Sequence, residues 1–405
     1  MIVDTSKAQK LGFNLDRLAY LDSFLHKAVA EGWSPAIAIC VARRGEEVFS
    51  GAYGSLSPGG PPLPVDMITE VSSVTKTVVA TLAMMLQEDG LLDILDPLSK
   101  FLPVFTGEGK ESLSLRHLMT HTAGFLGDDD DAYTPIMAFI KTILPMGYTF
   151  DIQNQEEVAL ALRKVNTVLG FPEETAQRTL TDWIRLMLPL QYKPGTHFAY
   201  CSYGFRLLGM VIEQVAGTTL DLLAQEKIFG PLGMVDSHLV LPEEKWHRVL
   251  VRGASSQGSG WLNTPADLTS FAGSSGLKTT VRDLLRFGLM FYHMGTVDGV
   301  RILSPASVRE MTRDQNPTVP PSTWHGKTFG SSWGLGWNIR CGKYDDMGVL
   351  RSDNAYDHGG AGGTHLLIDP ASDLVVALHM VEEIAGIYHT EAVNVLYSAI
   401  DDLPA

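Results

Sequence analysis

Between residues 14 and 31 the apolar side chains Leu15, Leu18, Leu21, Phe24, Leu25, Ala28 and Val29 recur every three or four positions. That spacing gathers them on one side of an α-helical turn and predicts an amphipathic helix. Two short apolar runs follow, Ala36 to Ala42 and Glu47 to Tyr53, divided by Arg43-Arg44-Gly45-Glu46. Strand-length runs around a glycine-bearing break predict a β-hairpin. Gly54 to Pro64 is a Gly/Pro-rich loop. Ser73 to Asp89 joins helix formers to a long apolar face, and Gly90 stands where such a helix ends. Onward to about residue 250 the pattern is mostly helical; Tyr203 to Ala216, before Gly217, and later Thr280 to Tyr292 are the clearest helices. Residues 126–190 carry weak landmarks and are expected to form an insertion that shapes a pocket. Strand-like runs return at Trp333 to Arg340, Thr364 to Asp369 and Leu374 to His379, before a helical stretch from Thr390 to Ile400.

Strands at both ends of the chain with helices between them predict an α+β fold. The expected architecture is an antiparallel sheet assembled from the two termini and flanked by terminal helices, with a mostly helical domain inserted. Residues 1–70 and 265–405 would form the discontinuous sheet domain and 71–264 the helical one, with the site at their junction. A chain of 405 residues suits one large or two intimate domains, and 45% apolar against 19% charged residues supplies ample core. No repeat or low-complexity tract interrupts it.

Charge narrows the partners. Lys and Arg total 31 against 46 Asp and Glu, a net charge of −15, which repels phosphate backbones and argues against nucleic acid. The run Asp128 to Asp131 lacks the ligand spacing of a calcium loop and is expected to be a solvated turn. Cys40, Cys201 and Cys341 are too few and scattered for a disulfide framework, and no CxxC pair suits zinc. Met1 to Lys10 has no apolar signal core, and Val78 to Leu86 is far too short to span a bilayer. A soluble, cytoplasmic protein is the expectation.

Three stretches carry candidate chemistry. Ser73-Val74-Thr75-Lys76 opens a helix, so the amine of Lys76 returns to the side of the Ser73 hydroxyl. Serine needs such a base within hydrogen-bond reach, and the amine must lose its proton, which burial among Val74, Val78 and Val79 favours. The helix start also offers the Ser73 N–H to an oxyanion. Alone, the pattern equally fits an N-cap serine and a surface lysine. Tyr200, within Pro194 to Gly204, is a candidate proton relay or a core aromatic. His358-Gly359-Gly360-Ala361-Gly362-Gly363-Thr364 is a Gly-rich strand edge that admits a substrate close to the backbone, or a plain turn; it lacks dinucleotide spacing.

In this order and at these distances the three stretches resemble those of the serine β-lactamase and penicillin-binding protein superfamily, above all class C β-lactamases and family VIII carboxylesterases. Leu115 to Gly124 is similar to the family's LLTHTSG stretch, Pro231 to Met234 to its PLGM turn, and Gly276 to Leu284 to its GLxST-xxDL helix entry. Landmarks run from about Gly32 to Asp369. The resemblance implies Ser73 as nucleophile, Lys76 as its activating partner and Tyr200 as the second member of the relay. It implies an oxyanion hole from the N–H groups of Ser73 and Ala361, with Gly360 as the last glycine of the family's KTG motif.

Two departures bear on substrate. Tyr200-Cys201-Ser202 stands where the family has YxN, so a carboxamide has become the shorter hydroxyl of Ser202. His358 occupies the KTG lysine position, exchanging a fixed cation for a group largely neutral near pH 7. Both favour neutral acyl esters over carboxylate-bearing β-lactams. The expected activity is a carboxylesterase working through an acyl-enzyme on a small-molecule ester, without metal or organic cofactor. An alcohol or amine acceptor would make it a transesterase; β-lactam, D-amino-acid peptide or amide cleavage is the alternative at the same site, and a non-catalytic scaffold a further one.

Two decoys need weighing. Gly330-Ser331-Ser332-Trp333-Gly334 matches GxSxG, but strand-like Leu335 to Ile339 follows where a nucleophile elbow needs a helix. His117 and His121 have zinc spacing, yet Leu118 stands where a metalloprotease needs Glu, so bonds to backbone near the pocket wall are expected of them. Residues 126–190 and the loop Pro317 to Lys327, with Trp324 and His325, are expected to set specificity.

Overall fold

The computed structural model describes residues 2–103, 105–107, 109–128, 190–253, 260, 262–324, 327–343, 347–381 and 387–403. Its main sheet consists of β1 (Ile2–Val3), β2 (Ala36–Arg43), β3 (Glu46–Gly54), β4 (Asn338–Ile339), β5 (Tyr356–Gly360), β6 (Thr364–Asp369) and β7 (Leu374–Met380). In space the order is β1-β3-β2-β7-β6-β5-β4, with antiparallel neighbours throughout. The two ends of the chain meet at the β2–β7 ladder, which runs from Ile37↔Met380 to Arg43↔Leu374. This is the antiparallel α+β sheet expected from the pattern.

The helices that bear on the site are α1 (Leu15–Ala30), α2 (Thr75–Glu88), α3 (Leu115–Met119), α4 (Ser202–Ala216), α5 (Val281–Tyr292) and α6 (Ile387–Tyr397). Side-chain size assigns them to the two sheet faces. Along β2, Ala36, Ala38, Cys40 and Ala42 join the core shared with α2 and α5, while Ile37, Ile39 and Val41 join the core under α1 and α6. Alternate residues of a strand face opposite ways, so one face is smooth and the other bulky. The smooth face lets α5 approach closely: a Cβ on Gly288 would lie 2.7 Å from Val375 Cγ1. Gly217, at φ 67, closes α4 as expected, and Asn14 caps the start of α1.

Three segments differ from the pattern. The run Trp333 to Arg340 keeps only β4 and an isolated bridge between Trp333 and Asn338, because Gly336 turns left-handed at φ 80. Its missing Cβ lets the turn press on Ala80 of α2. The stretch expected to edge a strand is itself strand β5 through Gly360. Its Asp357, His358 and two glycines lack the apolar alternation that marks a strand. The last helix begins at Ile387 and ends at Tyr397.

Among the described residues no single helix is long and apolar enough to cross a membrane; α4 and Leu220–Leu232 pass together only as a pair bent by 76°. Most of the expected 126–190 insertion, His325, and the side chain of Trp324 lie outside the described residues.

Candidate active site

Thr69 and Glu70 pair with Thr279 and Lys278, and the chain then turns tightly through Ser72–Val74 into α2. Ser72 occupies the left-handed region at φ 47, immediately before the candidate nucleophile. One turn later Lys76 is 0% exposed, and its Nζ donates to Ser73 Oγ at 2.8 Å and to Ser274 O at 3.1 Å. Burial pushes the Lys76 ammonium down to about 8, against the opposing pull of Asp128, so a neutral amine is accessible near neutral pH.

Tyr200 arrives from a distant segment that His121 holds in place. His121 O accepts the Ala199 N–H at 2.9 Å, and His121 Nδ1 accepts the Cys201 N–H at 3.1 Å. The His121 ring centroid lies 4.3 Å from that of Tyr200, the two planes tilted by 36°, and the ring is bounded by Phe205 and Trp333. Lys76 Nζ lies 4.9 Å from the Tyr200 ring centroid. Burial raises the Tyr200 phenol, while its hydrogen bond with Ser73 lowers it. The Ser73 hydroxyl is thus shared by the amine and the phenol.

Strand β5 closes a third side. A Cβ at Gly360 would fall 2.1 Å from Val71 O, so only glycine lets the strand lie against the Ser72–Val74 turn. Thr364 Oγ1 donates to the same Val71 O at 3.0 Å. Ala361 is exposed in the turn between β5 and β6. His358 is 2% exposed, with Nδ1 2.7 Å from Gly359 O and Nε2 buried without a hydrogen-bond partner among the described residues. Burial, reinforced by Lys76, pushes it down to about 3, so the group at the KTG lysine position is a neutral imidazole.

Ser202 begins α4, and its hydroxyl donates to Asp128 Oδ2 at 2.6 Å, while its N–H reaches both Asp128 oxygens at 3.0 Å. Asp128 N in turn donates to Tyr200 O at 2.8 Å. Asp128 is exposed, as expected of that loop, but it also braces the tyrosine segment; residues 129–131 lie outside the described residues. Sequence reasoning missed this role, and also Glu70, whose only signal is a carboxylate set among Met67, Ile68 and Val71.

The decoys have other occupations. Ser332 Oγ donates to Ile339 O at 3.1 Å, and the next element after it is strand β4 where a nucleophile elbow would have a helix. His117 Nδ1 accepts the Ser114 N–H and His121 the Cys201 N–H, the backbone bonding expected of both. Among the described residues no group of three or more His, Cys, Asp or Glu could hold a metal ion.

The fold and these comparisons define the class: a serine hydrolase of the β-lactamase fold. The family model described as Beta-lactamase matches residues 21–381, and the chain belongs to that family. Penicillin-binding protein 4 of Amycolatopsis lactamdurans is 28% identical over 339 residues, covering 81% of this chain and 76% of its own. A family VIII carboxylesterase structure superposes with a TM-score of 0.69 at 19% identity, over 95% of this chain and 97% of the other. The octameric penicillin-binding protein homologue from Pyrococcus abyssi gives 0.67 at 22% identity, over 94% and 77%.

Proposed function

We propose that the chain hydrolyses neutral carboxylic esters through an acyl-enzyme on Ser73. The observation that carries this reading is the buried Lys76 amine, 2.8 Å from Ser73 Oγ and pushed down to about 8. Ser73 Oγ attacks the ester carbonyl while its proton passes to Lys76. The N–H groups of Ser73 and Ala361 receive the oxyanion, each good donor contributing about 3–4 kcal/mol in comparable sites. Tyr200, hydrogen-bonded with Ser73, returns a proton to the departing alkoxide. Water, deprotonated by the same pair, then attacks the acyl carbon and restores Ser73.

Neutral His358 supports the preference for esters, since it offers no cation to a substrate carboxylate. A peptidase or β-lactamase reading draws on the relative named penicillin-binding protein 4. Assays with p-nitrophenyl butyrate, nitrocefin and a D-amino-acid amide separate the two: the ester is expected to be turned over fastest. Ser73→Ala abolishes that turnover, and Lys76→Ala and Tyr200→Phe each lower kcat by about 10²–10⁴-fold. Near-normal rates in either of the last two would assign the base elsewhere.

A further inference from the structure

Glu70 is 0% exposed, and the acyl-transfer steps leave it without a task. Its Oε2 accepts the Ser72 N–H at 2.9 Å, and its Oε1 accepts the Gly276 N–H at 2.6 Å. These donors belong to the two segments that flank the Lys76 amine. Ser72 immediately precedes Ser73, and Gly276 lies two residues beyond Ser274, whose carbonyl accepts from Lys76. Two further bonds close the same seam: Val71 N donates to Leu277 O at 2.8 Å, and Leu277 N to Thr75 Oγ1 at 3.0 Å.

The Ser72 donor sits on strained backbone, and the Gly276 donor stands where only glycine fits. Ser72 has φ 47 and Gly276 has φ 110, where a Cβ would meet Phe271 Cα at 2.6 Å. A left-handed serine persists only where its surroundings over-determine it. Burial and Asp267 push Glu70 up to about 7 against the pull of these two N–H groups and Lys278, so above that pH both its oxygens accept, whereas an amide presents one acceptor and one donor group. Asn263 Oδ1 holds the main chain at Glu70 by accepting its N–H at 2.8 Å, and Lys278 stands opposite Glu70 on the ladder.

We propose that Glu70 is a positioning residue for the Ser73–Lys76 pair. Its carboxylate locks the nucleophile turn to the 274–277 segment, so that Ser73 Oγ and Ser274 O face one amine together. Loss of the clamp lets Ser72 relax toward negative φ and separates the two acceptors. The penalty then falls on the chemical step and leaves substrate affinity largely intact.

This inference rests on Ser73 and Lys76 being the reacting pair, and the test separates the two claims. Glu70→Gln, Ser73→Ala and Leu396→Ala chains are compared with wild type; Leu396 lies in the core on the far face of the sheet and serves as a destabilised reference. For folded protein, kcat and KM on p-nitrophenyl butyrate are measured with the rate of fluorophosphonate labelling at Ser73. Glu70→Gln is expected to lower kcat and labelling by at least about tenfold with KM within about threefold, as misplacement of a reacting group does. Leu396→Ala melts earlier yet keeps both rates. Should Glu70→Gln give no folded protein, Glu70→Asp, which keeps the charge but shortens the reach, is judged by the same outcome. Wild-type kcat in the tested Glu70 variant, or an equal loss in Leu396→Ala, overturns the clamp. Turnover surviving in Ser73→Ala overturns the functional reading beneath it.

Discussion

Ser73 and Lys76 meet because one helical turn brings them together, whereas Tyr200 reaches the same hydroxyl from a segment hung on two other side chains. The first half of the site is held by close backbone approach, with β5 against Val71 and the Glu70 bridge beneath the turn. The second half depends on His121 Nδ1 and the Asp128 carboxylate gripping the N–H groups of Cys201 and Ser202, the two residues after Tyr200. Sterics dominate one half and polar side chains the other, so the two should fail differently.

The largest expected effect strikes the steric half. Gly360→Val places side-chain atoms where Val71 O already stands and must push the Ser72–Val74 turn away from β5. Turnover of p-nitrophenyl butyrate should fall by about 10²-fold, the usual consequence of roughly 1 Å of misplacement. An unchanged kcat would show that the turn does not depend on this contact.

The two buried imidazoles, His121 in the tyrosine half and His358 on β5, should instead respond to acid. His121 and His358 are both pushed downward mainly by burial, His358 to about 3 from an ordinary value of 6.5. Below pH 6.5 the unfolded chain binds protons that these folded imidazoles refuse, so stability falls as pH drops toward the folded value. The slope is about 1.4 kcal/mol per pH unit for each such histidine. Urea unfolding at pH 7.5 and 5.5 should show this decline, made shallower by His358→Gln. Equal slopes in the two chains would contradict it.

A smaller effect distinguishes charge from grip at Asp128. Its carboxylate opposes the downward push on Lys76, so Asp128→Asn should move the acid limb of kcat/KM to lower pH. Loss of the bond to Ser202 should also lower kcat by a few-fold, consistent with about 1 kcal/mol for a single hydrogen bond. A limb that stays in place would mean that this charge is not felt at the amine.

The same contrast explains what could be read before the coordinates. Ser73, Lys76 and the helix that begins beside them follow from spacing, and a sheet drawing on both ends of the chain follows from the apolar runs there, although which strands pair does not. Strand β5 was legible only as a glycine-rich edge, because Asp357, His358, Gly359 and Gly360 answer to the site and its packing more than to a pleated apolar face. Asp128 looked like one of four solvated acids, and its grip on Ser202 depends on tertiary placement that no local pattern encodes. Glu70 carried a faint signal, a charged residue amid apolar ones, whose meaning needed the partners on Ser72 and Gly276.

The central claim is that the buried amine takes the proton of Ser73. Its most direct test is the rate of fluorophosphonate labelling at Ser73 followed against pH in wild type and Lys76→Ala. A wild-type rate that climbs through an apparent pKa near 8, together with a slow Lys76→Ala rate lacking that limb, is the predicted result. A Lys76→Ala chain labelled at wild-type speed with the limb intact would contradict it.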